Sequence, residues 1–149
     1  MTTRSSVESF LAEPALALVG VSRSGEKFGN VILRDLRAQG RRVYPIHPVA
    51  DVVDGVPCVR HFADLPEPVG GVIVSVHPAE AVQVIRDAAA AGIRKVWLQQ
   101  GAESPCVANL CIELGVDAVI GECILMFANP TGIHRVHRAL EGMLGRLPR

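Results

Sequence analysis

Short apolar runs of strand length recur five times along the chain, each followed or preceded by a segment of helix length. The first, Ala15 to Val19, is unbroken by any polar residue and ends at Gly20. A run without alternation marks a strand covered on both faces. Arg42 to Ile46, Gly71 to Val76, Lys95 to Leu98 and Asp117 to Ile120 supply the next strands, and a short one is expected near Pro57 to Val59. Between them lie helical patterns. Gly29 to Gln39 places Val31, Ile32 and Leu36 on one face and stops at Gly40. Pro78 to Ala91 has proline in its first turn and Gly92 after its end, the usual asymmetry. Ser104 caps a helix with Pro105 at its first position, lined by Val107, Leu110, Cys111 and Leu114.

Strands alternating with helices imply parallel pairing through right-handed crossovers. The expected fold is therefore α/β: a Rossmann-like, doubly wound, mostly parallel sheet of five or six strands with flanking helices. At the N-terminus, Ser5-x-x-Glu8 reads as a capping box opening a short helix over residues 5–12, which Pro14 terminates. At the other end, Pro130 to Leu147 reads as an extra helix with Ile133, Val136, Leu140, Met143 and Leu144 on one side. The 149 residues fit a single domain with a core large enough to need no metal or disulfide.

Composition narrows the partners. Formal net charge is zero, which argues against nucleic acid or a membrane surface as a charge-driven partner. The apolar runs fall far short of the ~20 residues a membrane helix requires. Residues 1–13 carry no signal-peptide pattern, and Cys58, Cys106, Cys111 and Cys123 form no CxxC pair or zinc spacing. Free thiols in a reducing cytoplasm are the expectation. His134 and His137 stand three apart on the last helix, but no third ligand is evident and no metal is expected. Cys106, in a first helical turn, has no histidine partner at a motif spacing, and no catalytic centre is expected.

In a doubly wound sheet, ligands bind beyond the carboxyl ends of the strands, at the switch point beside the first strand. The loop there reads Gly20-Val21-Ser22-Arg23-Ser24-Gly25-Glu26-Lys27-Phe28-Gly29-Asn30. It ends at a helix N-terminus, whose free N–H groups and dipole favour an anion. Arg23 and Lys27 add two positive charges, and Gly20, Gly25 and Gly29 let backbone approach a ligand. A phosphate is the expected guest. The loop is a poor dinucleotide fingerprint, because Ser22 stands where GxGxxG needs its second glycine. The second strand runs into His47-Pro48 with no acid before Asp51 to take an NAD ribose. An NAD(P)-binding redox protein or sensor is thus the alternative, and an interaction subunit with a vestigial crevice is a second.

Five segments together resemble the small coenzyme A-binding proteins, whose domain is similar to the N-terminal part of the succinyl-CoA synthetase α-subunit. They are Val19-Gly20-Val21-Ser22-Arg23, Lys27-Phe28-Gly29-Asn30, Val43-Tyr44-Pro45-Ile46-His47-Pro48, Val76-His77-Pro78, and Trp97-Leu98-Gln99-Gln100-Gly101, followed by Cys123. The resemblance implies coenzyme A as cofactor, with its phosphates at Gly20, Ser22, Arg23, Lys27, Phe28, Gly29 and Asn30. It implies ligand walls at His47, Pro48, Val76, His77, Pro78, Gln99 and Gly101. The family usually has Asn-Pro where this chain has His47-Pro48. A mixed disulfide between Cys123 and the coenzyme's thiol is a lesser expectation. The synthetase's ligase chemistry belongs to a further domain and is not implied. The expected partner is a small molecule, with a homodimer left open.

Overall fold

The computed structural model describes residues 2–128. The helix expected over residues 130–147, with His134 and His137, lies outside the described residues. The chain opens with helix α1 (Arg4–Leu11), strand β1 (Ala15–Val19), helix α2 (Phe28–Ala38) and strand β2 (Arg42–Ile46). A two-stranded hairpin follows, β3 (Val52–Val53) with β4 (Val56–Pro57), then a 3-10 turn at Phe62–Asp64. The remainder alternates: β5 (Gly71–Val74), α3 (Pro78–Ala90), β6 (Lys95–Leu98), α4 (Pro105–Glu113) and β7 (Asp117–Ile120), with a 3-10 turn at Ile124–Met126.

The main sheet has five strands, all parallel, in the order β2-β1-β5-β6-β7. The chain leaves β1 outward to β2, then returns across it to β5, so the winding reverses between β1 and β5. Their carboxyl ends, Val19 and Val74, pair directly and mark the switch point. The unbroken apolar runs are explained by the two cores. On one face Leu16, Leu18, Val43, Ile73, Trp97 and Val119 meet Phe10 of α1 and Ile32, Leu33 and Leu36 of α2. On the other, Ala17, Val72, Val74, Val96, Leu98 and Ala118 meet Ile85 of α3 and Val107 and Leu110 of α4. Trp97 is fully buried, edge-on to Phe10 and Phe127, with ring centroids 5.4 and 5.8 Å apart.

Each sheet edge carries a contact from the chain itself. Beside β2, Val59 forms a bridge with Ile46, and Pro45 has no N–H to offer. Beside β7, Thr2 Oγ1 accepts from Ile120 N–H at 2.7 Å and donates to Ile120 O at 3.1 Å.

Several boundaries differ from the sequence reading for local reasons. Thr3, not Ser5, caps α1: its hydroxyl accepts from Ser6 N–H at 3.0 Å. Glu8 instead pairs with Arg4 on the exposed face. Leu33 rather than Val31 joins Ile32 and Leu36 as a buried apolar residue of α2. The short strand expected near Pro57 to Val59 is the β3–β4 hairpin, with Val59 reserved for the bridge to Ile46. β5 stops at Val74, because Ser75 turns against Gly20 after one more hydrogen bond to Val19 O.

Candidate functional site

The first loop is shaped by two close backbone approaches. Gly20 has φ +126°, and a Cβ there would sit 2.1 Å from Ser75 O. Only glycine lets the end of β1 pass the end of β5 this closely. A Cβ on Gly29 would meet Gly20 O at 2.3 Å, so the first turn of α2 lies directly on the loop. Lys27 provides no side-chain cap and the first turn of α2 holds no acidic residue. The positive end of α2 therefore faces the loop with no carboxylate from its own first turn.

Asn30 holds the loop from behind. It is fully buried. Its Oδ1 accepts from Ser22 N–H at 2.8 Å, and its Nδ2 donates to Ser22 O at 3.0 Å and to Asp54 Oδ2 at 2.9 Å. Both amide hydrogens are thus committed within the protein, which makes Asn30 a brace for the cradle. Asp54 sits in the β3–β4 turn at φ +50°, followed by Gly55 at φ +74°, the geometry of a tight Asp-Gly hairpin. Its carboxylate also pairs with Arg34 Nη1 at 3.2 Å, and Arg34 Nη1 donates to Gly25 O at 3.1 Å. The hairpin, α2 and the loop are thereby tied at Ser22 and Gly25.

His47 ends β2 and shapes the second loop. Its Nδ1 accepts from Val49 N–H at 3.0 Å and Ala50 N–H at 2.8 Å. An asparagine Oδ1 accepts from the same kind of backbone N–H groups in a local turn. Burial pushes the His47 pKa down, and the charges of Arg23, Lys27 and Arg60 push it the same way. All three cations thus disfavour the charged form of His47. Arg23 and Lys27 are exposed.

Lys27, Phe28, Val76, His77 and Gly101 line one cleft of ≈ 360 Å³ beside Ser75. Pro78 opens α3 next to it, with His77 as the cap, its Nδ1 facing Ala79 N–H at 3.4 Å. Gln99 is not on that surface. It is buried and its Oε1 accepts from Ile124 N–H at 3.1 Å, while Trp97 Nε1 donates to Glu122 O at 2.9 Å. Together they pin the segment that carries Cys123. Cys123 lies buried in the apolar cluster on the α2 face. Cys111 is also buried, and burial pushes its thiol pKa up. Cys106 is exposed.

Three side chains escaped the sequence reading: Asp54, Arg34 and Arg60. The Asp54-Gly55 pair between short apolar runs carried a hairpin signal. Arg34 and Arg60 carried none, since only the fold brings them to the loops. Among the described residues no helix is long and apolar enough to cross a membrane, and no cluster of three His, Cys, Asp or Glu could hold a metal.

Comparison with known proteins agrees with this geometry. Residues 15–129 match the family described as CoA binding domain. The chain is 22% identical over 80 residues to an ADP-forming acetate–CoA ligase of Methanocaldococcus jannaschii, covering 54% of this chain and 11% of the ligase. A conserved hypothetical protein from Pyrococcus furiosus superposes with TM-score 0.70 at 38% identity, over 74% of this chain and 96% of its own. The apo form of a dinucleotide forming acetyl-coenzyme A synthetase 1 from Ca. Korarchaeum cryptofilum superposes with TM-score 0.63 at 29% identity. That match covers 71% of this chain and 25% of the synthetase.

Proposed function

The chain belongs to the CoA-binding domain family, and on that premise we propose that it binds coenzyme A or an acyl-coenzyme A at the β1/β5 switch, without a catalytic centre of its own. One observation carries the reading: the loop bearing Arg23 and Lys27 passes Ser75 at Gly20 and ends at the uncapped start of α2, where the strands end. Such a place suits a pyrophosphate. Gly20, Ser22 and Gly29 form the backbone of the cradle, with Asn30 bracing it. Phe28, Val76, His77, Pro78 and Gly101 form the wall along which a pantetheine arm would run, and Gln99 supports that wall from beneath. His47 and Pro48 lie on the adenosine side. An NAD reading lacks its acid, because the tip of β2 is occupied by His47 and the first acid beyond it, Asp51, pairs with Arg60. Because the chain spans only 11% of the ligase and 25% of the synthetase, their ligation chemistry is not carried over. Four free cysteines fit the cytoplasmic location expected for such a protein.

Calorimetric titration tests this. Coenzyme A should bind more tightly than NAD. Hydrogen bonds to a charged partner contribute about 1.5–3 kcal/mol each. Replacing Arg23 and Lys27 together by Ala should therefore raise the dissociation constant by about 100-fold or more. The apo fold should hardly change, since both side chains are exposed. Affinity for coenzyme A within about threefold of wild type in that double variant would refute the assignment.

A further inference from the structure

In doubly wound folds the adenosine ribose is read at the tip of the second strand. An acid there takes a free hydroxyl, and an arginine takes a ribose phosphate. In this chain the tip of β2 is furnished by Arg60, a residue 14 positions beyond Ile46 in sequence. The backbone brings it there. Val59 bridges Ile46, His47 N–H donates to Val59 O at 2.9 Å, and Val59 N–H donates to Pro45 O at 3.2 Å. Residue 60 is the next one out.

The guanidinium is then fixed from two sides. Nη1 donates to Pro48 O at 2.8 Å, and Nη2 pairs with Asp51 Oδ1 at 3.0 Å. Arginine has five N–H donors, so three remain. The side chain keeps 45% of its exposure and lines a groove of ≈ 410 Å³ that runs from Val19 and Ile46, the ends of β1 and β2, to Val84 and Asp87 of α3. Asp51 is the acid that a free ribose hydroxyl would need, yet it is 89% exposed and turned to Arg60. An exposed pair of this kind is weak and leaves the guanidinium available to a second, doubly charged anion.

We propose that Arg60 selects a phosphomonoester on the adenosine ribose, and so separates coenzyme A from dephospho-coenzyme A at this site. The proposal rests on the coenzyme A reading above. Arg23 and Lys27 serve the pyrophosphate, which both ligands share. Arg60 serves the group that only one of them has.

The test is calorimetric titration of the full chain with coenzyme A, dephospho-coenzyme A and NADP at one ionic strength. The wild type should bind coenzyme A about 10-fold or more tighter than the dephospho form. Arg60→Ala should remove that preference by weakening coenzyme A alone, leaving dephospho-coenzyme A within about twofold. Arg60→Gln keeps an amide donor for Pro48 O and should lose the same preference, which guards against a collapsed loop in the alanine variant. Equal wild-type affinity for the two coenzymes overturns the role of Arg60 and leaves the coenzyme A reading intact. So does an equal loss for both ligands in both variants. Wild type that binds NADP more tightly than coenzyme A, or binds no coenzyme at all, overturns the coenzyme A reading and this proposal with it.

Discussion

Replacing Asn30 by Asp changes one group, NH₂ to oxygen, at a position with no solvent exposure. In the wild type that NH₂ donates to Ser22 O at 3.0 Å and Asp54 Oδ2 at 2.9 Å. An ionised Asp would instead face two acceptors, one of them charged. Two like charges at the 2.9 Å of that contact repel by about 6 kcal/mol even at an effective dielectric of about 20. The new carboxyl can avoid this by keeping its proton. Holding a proton from the ordinary Asp value of ~3.9 up to pH ~7.5 costs about 5 kcal/mol, which caps the charge penalty. The protonated group restores only one of two donated bonds, leaving a loss of about 1 kcal/mol. The expected destabilisation is about 4–6 kcal/mol at pH ~7.5 and about 2–3 kcal/mol at pH ~5. The sign follows from linkage: the variant's folded-state pKa is raised, so its folded form holds more protons and its penalty grows as pH rises above ~4. Asn30→Ala loses the same bonds but introduces nothing that titrates, so its deficit should be flat with pH. Urea denaturation of both variants against wild type at the two pH values measures this, provided the slope m is unchanged. An Asn30→Asp deficit that is equal at both pH values, or below about 1 kcal/mol at the higher one, would show that Asn30 does not carry the brace.

Gly29→Ala places a methyl 2.3 Å from the Gly20 carbonyl, and the expected cost exceeds the ~1 kcal/mol that alanine returns in helix propensity; a melting temperature at or above wild type would contradict the close approach. His47→Asn should keep the turn to Val49 and Ala50 and melt within about 2 °C of wild type at pH ~7.5. Because His47 is held below its ordinary pKa, its neutral form supports the fold above ~6.5 and that support is lost as pH falls through its lowered value; the Asn variant should lack this part of the acid decline, and identical melting–pH curves would refute the assignment. Limited alkylation followed by peptide mapping should modify exposed Cys106 well before buried Cys111 and Cys123, and equal rates at Cys106 and Cys123 would contradict the burial of the latter.

The parallel sheet was legible because Ala15–Val19 and Gly71–Val74 are buried on both faces and so admit no polar residue. The first loop was legible because close backbone contact demands glycine at positions 20 and 29, and such a demand leaves a mark in sequence. Its support was not. The family resemblance placed Asn30 in the ligand site, but nothing in the sequence marked its contacts within the fold. One of those partners, Asp54, lies 24 residues later in the chain. Strands of two residues, like β3 and β4, are too short to show a period. Arg60 was invisible because a single bridge, at the neighbouring Val59, positions it. The cap of α1 shifted because Thr3 and Ser5 are chemically equivalent candidates, and the contacts of Thr2 and Ser6 with β7 favour the earlier start.

The contact at each sheet edge bears on how copies of the chain can meet. A free edge strand is a template onto which another molecule can add its own strand, in register and without limit. Here one such template is interrupted by Pro45 and the Val59 bridge, and the other is occupied at Ile120 by Thr2. Growth of a shared sheet across molecules is thereby disfavoured at either side. Two copies that associate are then expected to meet through surfaces other than a shared sheet.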